Sequence, residues 1–281
     1  MKKAIASASR TKEILDTYDL YPKKGWGQNF LIDTSVAKKI ATSMNPNGAV
    51  IEVGPGIGGL SEQLLQQVAH VKAFEIDPRF IDVLTHELEE YPNFELVHQD
   101  ILEVDLPKEL GNLKTRYGSV SVAANLPYYI TSPVLFAFFE SGVSLEQIVV
   151  MVQKEVGERF LAKPNSKEYG ALSVEGQYLY KVERVCNVPK NAFFPAPKVD
   201  SVVVAFKKKE ETQEPINQED FFAFVKAGFK QRRKTLYNNL REYYGDANRA
   251  KEVLEACAFN EKSRAQELSV EAWVQLYRSQ L

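Results

Sequence analysis

The sequence predicts an α/β domain built on a parallel sheet, followed by a small all-helical domain. Two observations carry that prediction. From residue 49 short apolar runs alternate with helical stretches, and strand–helix alternation is what a parallel sheet covered on both faces requires. Beyond residue 220 the apolar stripes keep a helical period and the strand signal disappears.

Taken in order, Asp33 is placed to cap a helix that runs to about Met44. AVIEV (49–53), HVKAFEI (70–76), FELVH (94–98), SVSVAAN (119–125) and QIVVMVQ (147–153) read as buried strands. Segments 60–68, 78–90, 132–141 and 154–161 read as helices between or after them. YKVERVCNV (180–188) and SVVVAF (201–206) extend the sheet, with antiparallel pairing at its edge. KKKEETQEPINQED (207–220) is polar, contains Pro215 and reads as a linker. Helices are expected at 220–241, 246–258 and 269–279. The domains are therefore expected to be 1–207, α/β with an N-terminal helical extension, and 208–281, small, helical and suited to binding a polyanion.

The chain has 281 residues, 44% hydrophobic and 26% charged, the balance of a soluble globular protein. No apolar run approaches the roughly 18 residues of a membrane span. The N-terminus lacks the apolar core of a signal peptide, so a cytoplasmic chain with no membrane partner is expected. Cys186 and Cys257 are too few for a disulfide framework. His70, His86 and His98 do not join them in a metal-ligand spacing, so no metal is expected, and the histidines should lie on strand or helix surfaces. Charge is segregated. Residues 1–39 carry 8 Lys/Arg against 4 Asp/Glu, 40–180 carry 9 against 19, and 181–241 carry 13 against 7. An acidic centre flanked by basic segments suits a protein that steers a polyanion to a site.

The loop IEVGPGIGGLSEQL joins the first sheet strand to a helix, and Gly54, Gly56 and Gly59 fit G-x-G-x-x-G. Glycines allow a tight turn and let a ligand approach the backbone. Glu75 ends the second strand, where a carboxylate can hold both hydroxyls of an adenosine ribose. Asp100 follows the third and can accept from an adenine amine. The pattern by itself also serves nicotinamide and flavin dinucleotides. The Glu-x-Gly-x-Gly form, Glu52 to Gly56, is closer to S-adenosylmethionine methyltransferases.

Asn125-Leu126-Pro127-Tyr128 ends the fourth strand. The amine on C6 of adenine is a poor nucleophile because its lone pair is delocalised into the ring. The Asn125 side-chain oxygen and the Leu126 carbonyl are acceptors that favour a more tetrahedral nitrogen. Pro127 stiffens that stretch, and Tyr128 offers a ring to stack on the base, worth roughly 1–3 kcal/mol.

With these motifs in view, the chain resembles the ribosomal RNA adenine dimethyltransferases, the KsgA-like enzymes. The likeness runs from about Arg10 to the C-terminus. It rests on KKGWGQNFL (23–31), EVGPGIGGLS (52–61), FEID (74–77), HQDIL (98–102), ANLPYYITSP (124–133), FFPAPKVDS (193–201) and FKQRRKTLYNNL (229–240). It implies a Rossmann-like methyltransferase fold, S-adenosyl-L-methionine as cofactor, and transfer of two methyls to each of two adjacent adenosines near the 3′ end of small-subunit (16S) rRNA, within the 30S subunit or its precursor. It implies cofactor contacts at Asn29, Leu31, Gly54, Glu75, Asp100 and Asn125, and puts a second stacking aromatic at Phe193. Asn29 and Leu31 come from the resemblance alone. A non-catalytic assembly factor that kept the fold is the rival, and the intact Asn125-to-Tyr128 run argues against it. A monomer is expected. Lys226, Lys230, Arg232, Arg233, Lys234 and Arg241 lie within sixteen residues with no acid among them, a run suited to RNA phosphates.

Overall fold

The computed structural model describes residues 3–22, 27–127, 130–210 and 216–281. The chain first forms α1 (Ala8–Thr17), a two-residue strand β1 (Phe30–Leu31) and α2 (Thr34–Thr42). The Asp33 side chain accepts from the Ser35 N–H and caps α2, as its spacing predicts. The sheet then opens with β2 (Ala49–Val53), α3 (Ser61–Leu65), β3 (His70–Glu75), α4 (Arg79–Glu87), β4 (Phe94–His98), α5 (Leu106–Tyr117), β5 (Val120–Asn125), α6 (Thr131–Phe139) and β6 (Gln147–Gln153). α7 (Lys154–Leu161), α8 (Ala171–Leu179), β7 (Tyr180–Val188), β8 (Phe193–Phe194) and β9 (Ser201–Lys208) follow. α9 (Gln218–Gly228), α10 (Leu236–Tyr244), α11 (Ala247–Ala256) and α12 (Val270–Arg278) complete the chain.

The seven-stranded sheet has the order β4-β3-β2-β5-β6-β9-β7. β2 pairs in parallel with both β3 and β5, and β6 pairs antiparallel with β9. The expected antiparallel extension is thus present. β2 is buried at all five positions, as a strand covered on both faces must be. From β2 the chain steps outward to β3 and β4, then returns to place β5 on the other side. The order reverses between β2 and β5, and open α/β sheets bind ligands beyond the strand ends at such a point.

Several elements escape the sequence. α5 starts under an Asp105 cap, with Asp105 accepting from the Lys108 N–H, but Gly111 and the polar residues around it blur its period. α8, ALSVEGQYL, is small or apolar on most sides and shows no stripe. The β1–β8 ladder is two residues long, pairing Phe30 with Phe194 and Leu31 with Phe193, too short for any alternation to register. The expected helix over 220–241 is two helices. Thr235 accepts from the Asn238 N–H and starts α10 afresh, and the Asn239 amide donates to the Gly228 carbonyl, 2.6 Å, and to that of Gln231, 3.3 Å, in the intervening turn. His70 is on a strand as expected, but buried rather than on its surface. It stacks on Tyr117 with ring centroids 4.9 Å apart, and burial pushes its pKa down.

The chain divides into two compact units, residues 1–157 with 183–208, and residues 158–182 with 209–281. The first has a core around Ile40, Val50, Leu64, Val83, Val149 and Val203. In the second, Tyr169 and Val174 are buried with Phe221, Phe224, Leu240 and Trp273. The Tyr169 hydroxyl donates to the Leu268 carbonyl at 2.9 Å, and the Asn165 N–H to that of Gln266 at 2.8 Å. These contacts bring residues 158–182 into the helical unit along with the segment after 208.

Candidate active site

The C-terminal ends of β2, β3, β4 and β5 open into a cavity of about 290 Å³. It is built first by the loop after β2. The Gly54 N–H continues the sheet by donating to the Phe74 carbonyl at 2.9 Å. Gly54 and Gly56 then take φ of +66° and +59°, a region that side chains resist. A Cβ on Gly54 would meet no protein atom within 4 Å. Its backbone conformation, not crowding by protein, calls for glycine, and the loop borders the cavity with bare backbone.

Glu75 closes the next side. It is 4% exposed, and its two oxygens accept from the Gly56 N–H at 3.0 Å and the Asp77 N–H at 2.8 Å. Burial pushes its pKa up, and those backbone donors oppose the shift. The carboxylate is therefore fixed in place before any ligand arrives, with lone pairs left to accept from hydroxyls. Asp100 also borders the cavity and uses Oδ1 to cap the short turn after β4, accepting from the Leu102 N–H at 2.9 Å. Ile76 and Leu102, 48% and 46% exposed, line the same space and offer apolar faces to a flat ring. Two carboxylates and apolar walls bordering one cavity fit the adenosyl part of S-adenosylmethionine.

Asn125, Leu126 and Pro127 reach the cavity from the end of β5, and Phe193 reaches it from β8. Phe193 is buried and held by its pairing with Leu31. The Asn125 amide nitrogen donates to the Asn29 carbonyl at 3.4 Å. A carbonyl can only accept, so that contact fixes the carboxamide's sense and leaves its oxygen as the acceptor. The Pro127 carbonyl accepts from the Ile130 N–H at 3.1 Å and the Thr131 hydroxyl at 3.4 Å, which ties this stretch to the start of α6.

Asn29, Leu31, Gly54, Gly56, Glu75, Asp100, Asn125, Leu126, Pro127 and Phe193 thus all line one cavity. Tyr128 lies outside the described residues. Gly59 lines it too and packs the loop close: a Cβ there would stand 3.4 Å from the Ala6 Cβ.

Three features of the cavity went unread in the sequence. Glu52 is 1% exposed, and neither of its oxygens has a hydrogen-bond partner among the described residues. Burial pushes its pKa up to about 8; the nearby Ser61 hydroxyl opposes this and the Glu75 charge adds to it. Burial thus favours the neutral acid at Glu52. Its place in Glu-x-Gly-x-Gly was visible, but that shift follows from burial. Ile76 and Leu102 carried the signal of an apolar residue just past a strand-end motif. The third is a cluster at Asp77, 2% exposed, which accepts from Arg79 Nη2 at 2.5 Å and from Gln28 Nε2 at 2.9 Å. Burial works against its charge, but these donors prevail and hold its pKa at about 2.

The basic run in the helical unit has a different character. Lys226 Nζ stands 3.5 Å from the buried Glu175 carboxylate, and Lys230 pairs with Glu242 at 2.5 Å. Arg232 donates to the Lys167 carbonyl at 2.6 Å. The Arg241 guanidinium stands 5.9 Å from the Tyr237 ring centroid. Arg233 and Lys234 are exposed in the turn between α9 and α10.

Comparison with known proteins agrees with this geometry. A family model described as ribosomal RNA adenine dimethylase matches residues 21–280. A ribosomal RNA small subunit methyltransferase A of Staphylococcus aureus (strain Newman) is 42% identical over 98% of this chain and 95% of its own length. One of Staphylococcus haemolyticus (strain JCSC1435) is 41% identical over 98% and 96%. Among solved structures, a dimethyladenosine transferase from Plasmodium falciparum superposes with a TM-score of 0.72 at 29% identity, covering 88% of this chain and 95% of that one. The 23S rRNA methyltransferase ErmE superposes with a TM-score of 0.69 at 26% identity, covering 89% and 99%. The family model and these relatives cover nearly the whole chain, with its glycine loop, backbone-held carboxylate and strand-end asparagine bordering one cavity, and the chain belongs to the ribosomal RNA adenine dimethylase family.

Proposed function

We propose that this enzyme dimethylates N6 of two adjacent adenosines near the 3′ end of 16S rRNA, in the 30S subunit or its precursor, and so contributes to small-subunit biogenesis. One observation supports this most: the cofactor-side groups Glu75 and Asp100 and the base-side groups Asn125, Leu126, Pro127 and Phe193 border a single cavity. Donor and acceptor can then be held in line, which is where most of the rate comes from in a reaction of this kind.

When bound, S-adenosylmethionine supplies an electrophilic methyl group on a sulfonium. The chain's residues do the rest. Glu75 and Asp100 anchor the adenosine end, the first at the ribose and the second at the adenine amine. Asn125 Oδ1 and the Leu126 carbonyl accept from the target amine and draw its nitrogen toward tetrahedral geometry. Phe193 stacks on the flipped base, and Tyr128 is the proposed ring on its other face. The methylated nitrogen is acidic and needs no strong base, and no histidine among the described residues lines the cavity.

RNA is held by its phosphates, with Arg232, Arg233, Lys234 and Arg241 as the main contacts and Lys226 and Lys230 in support. The helical unit is the RNA-binding domain, and the enzyme works in the cytoplasm as a monomer. The test is to incubate the protein with labelled cofactor and under-methylated small subunits and map the modified nucleosides. Two adjacent dimethyladenosines near the 3′ end are expected. Label elsewhere, or none, overturns the proposal.

A further inference from the structure

We propose that Asp77 is a positioning residue that sets the Asn125 carboxamide through Gln28 and Asn29. The inference rests on the reading of Asn125 as the acceptor for the target amine. The chain of contacts begins at the cluster between the end of β3 and the segment before β1. Arg79 Nε and Nη2 grip the Asp77 carboxylate at 2.9 and 2.5 Å. Gln28 Nε2 donates to Asp77 Oδ2 at 2.9 Å, and Gln28 Oε1 accepts from Arg79 Nη2 at 3.2 Å. Both ends of the Gln28 carboxamide are thereby engaged. Arg79 Nη1 also donates to the Tyr21 carbonyl at 3.2 Å, so one guanidinium engages both Tyr21 and Gln28.

The next residue carries the effect into the cavity. Asn29 folds its own amide back onto the Gly27 carbonyl at 2.8 Å, and its carbonyl accepts from Asn125 Nδ2. That last contact, at 3.4 Å, is long, and such a bond weakens quickly if its acceptor drifts. It nevertheless decides the chemistry. Turned by half a rotation, the Asn125 carboxamide would present N–H groups to an amine that is itself a donor. The segment must hold the Asn29 carbonyl still, and the Asp77 cluster is what it is fastened to. The Asp77 N–H meanwhile donates to Glu75 Oε1, so one residue serves both the cofactor side and the base side of the cavity.

The test is a double-mutant cycle on the single-turnover rate, with cofactor and RNA saturating. Gln28→Met keeps length, donates nothing and accepts only weakly; Asp77→Asn keeps shape but loses the ion pair. Each is expected to slow methyl transfer on the order of 10–100-fold, the loss typical of a displaced reacting group, without changing RNA affinity. In an Asn125→Ala background, Gln28→Met should cost nothing more, because the residues act in one line. Arg79→Lys should be intermediate, since a single ammonium cannot serve Asp77, Gln28 and Tyr21 at once. A readout independent of activity is the Asn125 side-chain amide resonance of the cofactor-free protein, which should shift in Gln28→Met and in Asp77→Asn. An unchanged rate with an unchanged resonance, or an equal slowing of the wild type and Asn125→Ala by Gln28→Met, overturns the proposal. If instead Asn125→Ala alone methylates at the wild-type rate, the acceptor role of Asn125 fails, whatever Gln28 does.

Discussion

The strand-end cavity and the basic run from α9 into α10 were both singled out from residue types and spacing, yet they turned out differently. At the strand ends, each chosen residue that is described borders one cavity. In the basic run, among the described residues, Lys226 stands against Glu175 and Lys230 against Glu242. Glu175 lies more than fifty positions before Lys226, and Glu242 falls just past the run that counted as free of acids. A strand end is placed by its backbone ladder, so a residue there has one address. A surface lysine's worth as a phosphate ligand depends on what stands opposite, and an existing ion pair must be loosened before it can help.

The contrast is broken most directly at Asn125. Asn125→Ala should lower the single-turnover rate on the order of 100–1000-fold with cofactor saturating, the usual cost of removing a preorganised group that acts in the transition state. RNA affinity should stay put. A near-wild-type rate would mean that the cavity's asparagine only shapes a turn. Glu75→Ala comes next. It should cost about 1.5–3 kcal/mol of affinity for S-adenosylhomocysteine, measured by calorimetry, while RNA binding is unaffected. Equal cofactor affinity would remove Glu75 from the ribose subsite.

Glu52 provides a pH-dependent comparison. In the folded chain it keeps its proton up to about pH 8, while in the unfolded chain it ionises near 4.5. Between those values unfolding releases a proton, so its burial costs progressively more stability as pH rises through that window. Glu52→Gln removes the liability. Relative to its standing at pH 4, the variant should gain on the wild type steadily as pH rises toward 8. Denaturant melts across that range would show it, and parallel curves would mean that Glu52 is solvated or paired.

The smallest effects belong to the basic run, and they sharpen the contrast most. Arg233→Ala and Lys234→Ala should each flatten the log–log salt dependence of RNA binding by roughly 0.7–0.9 per lost phosphate contact. Lys230→Ala should do less, because Glu242 already occupies it. Equal slopes for Lys230 and Arg233 would show that the ion pair opens freely when RNA arrives.

Periodicity was enough for the central sheet strands, because a strand buried on both faces leaves an apolar run that little else explains; 49–53 and 147–153 match to the residue. The strand over 94–98 is there but not buried as expected: β4 is at the edge of the sheet, half-buried or exposed throughout. It failed for α8 and for the β1–β8 ladder, where burial on most sides or sheer brevity erases the pattern. Gly54, Glu75 and Asn125 were legible because each ends or directly follows a recognisable strand. Asn29 and Leu31 were legible only through family likeness, since a loop entering a helix has no signature of its own.

The sequence by itself determined the alternation of strands and helices, the strand-end residues and the family, because local backbone chemistry and motif spacing are written in consecutive positions. Tertiary structure alone decided which core residues 158–182 join, that burial raises the Glu52 pKa, that Glu175 and Glu242 face the basic run, and that Gln28 and Asp77 meet across 49 positions. Each of these depends on which side chains meet through space and how much water they lose in doing so.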